Sequence, residues 1–333
     1  SRPPDEASPD RTADLDERGM WGNTPLLVAT QYAHPQVALA LIAGGANTCL
    51  ENERRATALH FSCTEGLLDV CRALLENGAN VDPPVAAVHH PGVNGGQTVP
   101  VTPLSAASSG GHTELVRLLV ERGAEVDRRV SPKGAGGQDR RTSFSGTDGV
   151  GGSALTAAAR YGHTETCLVL IDNGASVLLE DWDQRTPLLH AILGGHAHTS
   201  LTLLDAAEQT GCAYQLAEPG EPEMWGANPS RLTPLHAACE KGLYEVVKAL
   251  LSAGAHVESR DGTRATPLLC ACRKGRLQCV RELLSRGADP AAEDHTGSTP
   301  LSAAHSRVEL SRGEQILELI EAAIAESGSR EDR

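Results

Sequence analysis

Apolar residues in this chain come in paired short blocks. Leu115-Val116 with Leu118-Leu119, and Val246-Val247 with Leu250-Leu251, fall at helical spacing and predict one amphipathic helix each. Ahead of such helices lie blocks of small residues, among them Ala106-Ala107, Ala157-Ala158, Ala237-Ala238 and Ala303-Ala304, which let neighbouring helices approach closely. Between the two blocks stands a Gly, often as Gly-His: Gly111-His112, Gly162-His163, Gly195-His196. Glycine tolerates the left-handed backbone that ends a helix. The second block stops at Gly-Ala, at Gly45, Gly78, Gly123, Gly174, Gly254 and Gly287, and a polar stretch follows. The pattern predicts helix, turn, helix and an extended finger, repeated.

The repeat is anchored by Thr/Ser-(Pro/Ala)-Leu, beginning at Thr24, Thr57, Thr102, Ser153, Thr186, Thr233, Thr266 and Thr299. The intervals are 33, 45, 51, 33, 47, 33 and 33 residues, so one unit of 33 recurs with three insertions. A Thr or Ser hydroxyl can accept a hydrogen bond from an orphan N–H of the first turn. Proline follows in six of the eight, and its fixed φ suits the first helical position. Positions below are counted from this capping residue as zero.

Thr233-Pro-Leu-His-Ala-Ala238 and Thr57-Ala-Leu-His60, on a period of 33, resemble the signature of the ankyrin repeat family. The resemblance runs from about Ala13 to Ala325. It implies an all-α repeat solenoid, an ankyrin array of helix-turn-helix units joined by β-hairpin-like fingers, and one ankyrin-repeat domain over residues 1–333. Its expected parts are a disordered tail at 1–12, a partial leading finger at 13–23, the eight repeats, insertions at about 82–101, 127–152 and 213–232, and a tail at 326–333. The leading half-unit points to an array cut from a longer one. At the other end, Ile316, Leu317, Leu319, Ile320 and Ile324 interleave with Glu314, Glu318, Glu321 and Glu326, as a terminal capping repeat requires. The fifth repeat has Ala207-Glu208 in place of Gly-Ala, so its second helix should run on toward Gly211.

The resemblance also implies where such an array binds: a concave surface lined by finger tips and by the two residues before the breaker Gly. Here those are Met20, Trp21, Glu53, Arg54, Trp182, Asp183 and His295 in the fingers, and Gln31, Tyr32, Glu65, Arg160, Tyr161, Glu240, Lys241, Arg273 and Lys274 on the helices. Aromatic side chains at such places are the usual anchors of an interface. The insertions lengthen fingers on one side, and their Gly/Pro-rich or charged composition predicts flexibility.

Composition removes several functions. Aromatic residues make up 3% of the chain, so the core rests on Leu, Ala and Val. A net charge of −14 argues against tracking nucleic-acid phosphates. No stretch is long and apolar enough for a membrane span. Nine scattered cysteines have no framework spacing and fit reduced thiols in the cytoplasm or nucleus.

Candidate chemistry dissolves on register. Cys63, Cys239 and Cys272 all lie at position 6, Cys71 and Cys167 at 14, Cys279 at 13 and Cys270 at 4, all packing positions, and no paired C-x-x-C exists. The histidines at 60 and 236 sit in the signature slot, where an imidazole can brace the turn. No nucleophile elbow or phosphate-binding glycine motif is present. Arg140-Arg141-Thr142-Ser143 reads as a basic kinase site, with Ser143 the candidate phosphoacceptor. The expectation is therefore a monomeric, non-catalytic array without metal or cofactor, binding another protein as scaffold or adaptor. The alternative is a recruiting or regulatory segment of a larger kinase, channel or ubiquitin-ligase receptor.

Overall fold

The computed structural model describes residues 14–89, 98–130, 152–181, 183–217, 232–306 and 311–331. The expected tail at 1–12, most of the second insertion with Ser143, the third insertion from 218 to 231, and Trp182 lie outside them. The chain packs as two compact units, residues 1–125 with 130–150, and 126–129 with 151–333.

In the first unit each repeat contributes a short inner and a longer outer helix. These are α1 (Pro25–Gln31) with α2 (Pro35–Ala43), α3 (Ala58–Thr64) with α4 (Leu68–Glu76), and α5 (Pro103–Ser109) with α6 (Thr113–Glu121). Inner helices stack on inner (α1 on α3, α3 on α5) and outer on outer (α2 on α4, α4 on α6). Between α4 and α5 stand two antiparallel strands, β1 (Ala86–His89) and β2 (Thr98–Val101), with Ala86 opposite Val101 and Val88 opposite Val99. Flexibility was expected of this whole insertion, and at its base the structure corrects that. Ala86, Val88 and Val101 are buried, and a stretch rich in β-branched residues gains a ladder by pairing.

The second unit follows the same scheme: α7 (Ala154–Tyr161) with α8 (Thr164–Asp172), α9 (Pro187–Gly194) with α10 (Ala197–Gln209), α12 (Pro234–Lys241) with α13 (Tyr244–Ser252), α14 (Pro267–Lys274) with α15 (Leu277–Ser285), and α16 (Pro300–His305) with α17 (Ser311–Glu331). A one-turn helix, α11 (Ala213–Ala217), opens the third insertion and buries Leu216 and Ala217. Lacking a Gly-Ala stop, α10 runs for 13 residues where the other outer helices from α2 to α15 have 9. The last helix continues to Glu331, into the segment read as a tail from 326. It buries Ile316 and Ile320 and leaves Glu314, Glu318, Glu321 and Glu326 in water.

Caps start the inner helices as the tripeptide predicts. Thr102 Oγ1 accepts from Ser105 N at 3.1 Å, and Thr186 and Thr266 accept from Leu189 N and Leu269 N at 3.3 Å. The core is a pair of leucine rows. At position 17, Leu74, Leu119, Leu170, Leu203, Leu250 and Leu283 have no exposed surface, and the leucines at position 2 pack behind them. Each buried leucine stabilises by about 1.5–3 kcal/mol relative to exposure.

Candidate interaction surface

Within each unit the inner helices lie side by side, so equivalent residues of its successive repeats form rows. The position just before the breaker is Tyr32, Glu65 and Gly110 in the first unit and Tyr161, Gly194, Lys241 and Lys274 in the second, and the one before it is Gln31, Thr64 and Ser109, then Arg160, Leu193, Glu240 and Arg273. Tyr32 is 65% exposed, and Glu65, Lys241 and Lys274 are exposed. Arg160, Tyr161, Glu240 and Arg273 are half-buried. The breaker explains why these rows are close-packed. Gly162 has φ 76°, and a Cβ there would meet the His196 ring at 2.4 Å. His196 lies across that glycine and its Nε2–H donates to Arg160 O at 2.9 Å, so the histidine of one repeat caps the helix of the one before. Arg276 does the same, Nε to Glu240 O at 3.1 Å.

The fingers are organised by a residue the sequence reading missed. At position 28 stand Asn52, Asp181, Asp261 and Asp294. The Oδ1 of Asp181 accepts from Asp183 N and Arg185 N, both at 2.9 Å. Asp261 accepts from Thr263 N and Ala265 N, Asp294 from Thr296 N and Ser298 N, and Asn52 from Arg54 N and Ala56 N. One side-chain oxygen thus closes each turn and leaves the tip standing out. The available signal was a side-chain oxygen acceptor recurring at a fixed distance from the cap.

Two of these acids reach further. Asp181 Oδ2 accepts from His190 Nε2 at 2.7 Å in a site where both side chains are almost wholly buried. Burial pushes the His190 pKa down despite the adjacent carboxylate, so the ring is neutral. Burial opposes ionisation of Asp181, but hydrogen bonds from His190 and two backbone N–H groups outweigh it and its pKa is lowered. Burial opposes ionisation of Asp294, but the Thr296 hydroxyl, the Arg273 guanidinium and the backbone N–H groups of Ser298 and Thr296 outweigh it and hold the carboxyl below the usual carboxylate range. His236 ties its cap to the next finger: Nδ1 meets Thr233 Oγ1 at 2.8 Å, and Nε2–H donates to Ala265 O at 2.9 Å.

Within the first unit, Met20 and Trp21 stand out at 80% and 60% exposure, with the Arg54 guanidinium 6.0 Å from the Trp21 ring centroid. Glu53 N donates to Trp21 O, linking successive tips. Gln31, Tyr32 and Glu65 follow on the inner helices of that unit. In the second unit, Asp183 and His295 are exposed tips, and His295 N donates to Thr263 O at 3.0 Å. Arg160, Tyr161, Glu240, Lys241, Arg273 and Lys274 belong to its rows.

Seven cysteines, Cys63, Cys71, Cys167, Cys239, Cys270, Cys272 and Cys279, are buried, and they are the seven that register assigns to packing. Burial pushes the thiols of Cys167, Cys270 and Cys272 up to about 12, which keeps them protonated at neutral pH. Among the described residues no group of three or more potential ligands could hold a metal ion. No helix there is long and apolar enough to cross a membrane.

A solenoid of helix pairs with a glycine break, a leucine row and an acid-closed finger defines a class of repeat protein. The family model for ankyrin repeats (3 copies) matches residues 7–84, 88–181, 137–213, 178–261 and 203–294, and the chain belongs to the ankyrin repeat family. It is 33% identical over 133 residues to human Ankyrin repeat and KH domain-containing protein 1, covering 40% of this chain and 4% of that protein. It is 34% identical over 161 residues to human Ankyrin repeat and SOCS box protein 18, covering 48% of this chain and 28% of that one. The crystal structure of the human ASB11 ankyrin repeat domain superposes with a TM-score of 0.59 at 26% identity, over 81% of this chain and 100% of that chain.

Proposed function

We propose that the chain is a protein-interaction scaffold or adaptor, whose partner lies along the finger tips and the ends of the inner helices. The observation that carries this reading is a contrast between neighbouring rows. Position 17 is the same buried leucine in six repeats, while position 8 on the same scaffold is Tyr32, Glu65, Gly110, Tyr161, Gly194, Lys241 or Lys274. A surface that changes residue by residue on an unchanging frame suits recognition of one particular partner. The acid–histidine pair of Asp181 and His190 is sealed from solvent, which sets it apart from a catalytic pair open to substrate. The relatives join ankyrin repeats to a KH domain or a SOCS box, and this chain spans only a small share of their length. That supports a second reading, in which the array is the recruiting segment of a larger protein.

Crosslinking capture with the intact array, followed by affinity measurement on the captured protein, tests the placement. Tyr161→Ala with Lys241→Ala should weaken binding at least tenfold, about 1.4 kcal/mol, with an unchanged melting curve. Unchanged affinity would remove the inner-helix ends from the interface.

A further inference from the structure

Charge in the second unit is sorted by helix. Its outer helices α8, α10, α13 and α15 carry Glu165, Asp172, Asp205, Glu208, Glu245 and Glu282 against Lys248 and Arg281. Its inner helices α7, α9, α12 and α14 reverse the balance, with Arg160, Lys241, Arg273 and Lys274 against Glu240. The inner helices of the first unit, α1, α3 and α5, hold no Asp, Glu, Lys or Arg. A chain of net charge −14 thus gathers positive charge along one row of helices.

Register puts that charge in one strip. All four cations occupy positions 7 and 8, the last turn of an inner helix, and α7, α9, α12 and α14 pack on one another in that order. The carbonyl end of a helix favours a cation, which accounts for these four one at a time. It does not account for Arg264. That residue stands two places before the cap of α14, at the end of the helix where the dipole disfavours a cation. Its φ is 63°, and the same slot of the next finger is Gly297 at φ 75°. Glycine takes such a backbone without strain, and an arginine does not. Two local costs are therefore borne to hold a cation at this tip, and strain of that kind collects at functional positions. Lys241, Lys274 and Arg264 are exposed and form no ion pair among the described residues, whereas Arg273 is paired with Asp294.

We propose that this strip, centred on Lys241, Lys274 and Arg264, binds an acidic segment of the partner protein, an extended chain rich in Asp and Glu. The proposal rests on the reading that the partner lies along the tips and inner-helix ends, and it adds the partner's chemistry. Packed helices lie about 8–10 Å apart and an extended chain advances about 3.1–3.4 Å per residue, so every third residue meets the next helix. Lys241 on α12 and Lys274 on α14 thus select Asp or Glu three residues apart. At the same positions α9 offers Leu193 and Gly194, which ask for no charge. The acids of the outer helices repel the same segment and steer it to the strip.

A positional-scanning library of twelve-residue peptides, one residue fixed at each position in turn, tests this on the 333-residue chain. Selection of Asp or Glu at two positions three apart is expected, weakening as salt is added. Lys241→Glu with Lys274→Glu should weaken the best peptide at least tenfold with an unchanged melting curve. Lys248→Glu with Arg281→Glu makes the same change of net charge on the outer helices and should leave the selection intact. Arg264→Gly should weaken binding while raising the melting temperature, which a purely structural role would not do. A library without acidic preference would overturn the proposal, as would an acidic preference that survives in the Lys241/Lys274 variant or preferential binding of a single-stranded oligonucleotide to the strip. Apolar or basic selection that is lost in that variant would overturn the acidic class and keep the surface. A captured partner indifferent to Tyr161→Ala with Lys241→Ala would overturn the surface itself.

Discussion

Position 17 holds a fully buried leucine in six repeats, and Leu41 in the first. The span from that row to the next cap shows no such constancy: repeat spacing is 33, 45, 51 or 47 residues depending on the finger. The two regions answer to different constraints. A helix row must match the rows on either side, because a side chain one methylene too small leaves a void that neighbours cannot fill. The four fingers of uniform length are closed locally by one acceptor at position 28, whereas the three lengthened ones carry Val85, Val130 and Tyr214 there, so extra residues enter only where that local closure is absent. The proposed partner surface lies on the less constrained of the two, at tips that stand out from the helical frame.

The sharpest test of that division is a core truncation beside a tip truncation. Leu250→Ala removes a side chain with no exposed surface and should cost about 2–5 kcal/mol in a denaturant titration. An unchanged midpoint would place Leu250 outside the core row. Met20→Ala, at a tip 80% exposed, should leave the midpoint where it is.

The comparison is less clean where a finger reaches into the core. Asp181 closes its own turn and also accepts from buried His190, so Asp181→Ala strands three donors and should cost about 2–3 kcal/mol. Asp181→Asn keeps an acceptor for the turn and should restore part of that. The pair also sets an acid limit. Burial lowers the His190 pKa from its ordinary 6.5, so the unfolded chain binds a proton there that the folded one refuses, and stability falls as pH drops below about 6.5. Asp181 is shifted down as well, so its share is kept above its ordinary 3.8 and is lost only as pH falls further. Urea titrations between pH 7 and 5 should show the fall, and His190→Gln should shrink it; an equal slope in the variant would take His190 out of the account.

The same division governed what could be read in advance. Helices, caps and the packing role of seven cysteines were legible because each depends on local chemistry repeated at a fixed period. The fingers were not. The acceptor at position 28 carries no meaning until the turn it closes is seen, and β1–β2 hides in an insertion whose prolines and glycines mask the short runs of Val and Ala on either side. Nor does periodicity say that Val37 is bare while Val70 is sealed, because both occupy the same slot and only the neighbour differs. The proposed partner surface is a set of positions supplied by the family pattern, and the sequence alone names no partner for it. Trp182 and Ser143 stay at the level of sequence.

The smallest effect should come from the one place where the first repeat breaks the helical rule. Position 9 is glycine in Gly66, Gly111, Gly162, Gly195, Gly242 and Gly275, each at positive φ, but in the first repeat it is Ala33, at φ 53°. A Cβ in the left-handed region costs roughly 1 kcal/mol, against which alanine regains some stability by restricting the unfolded chain. The balance favours glycine, so Ala33→Gly should raise stability by about 0.5–1 kcal/mol, read as a shift of the urea midpoint at constant slope. In the other repeats the exchange should run the opposite way and further. At Gly162 an added Cβ meets both the positive φ and the His196 ring, so Gly162→Ala should destabilise by more than Ala33→Gly stabilises. A neutral or harmful Ala33→Gly would show that the left-handed turn at Ala33 does not carry the strain assigned to it.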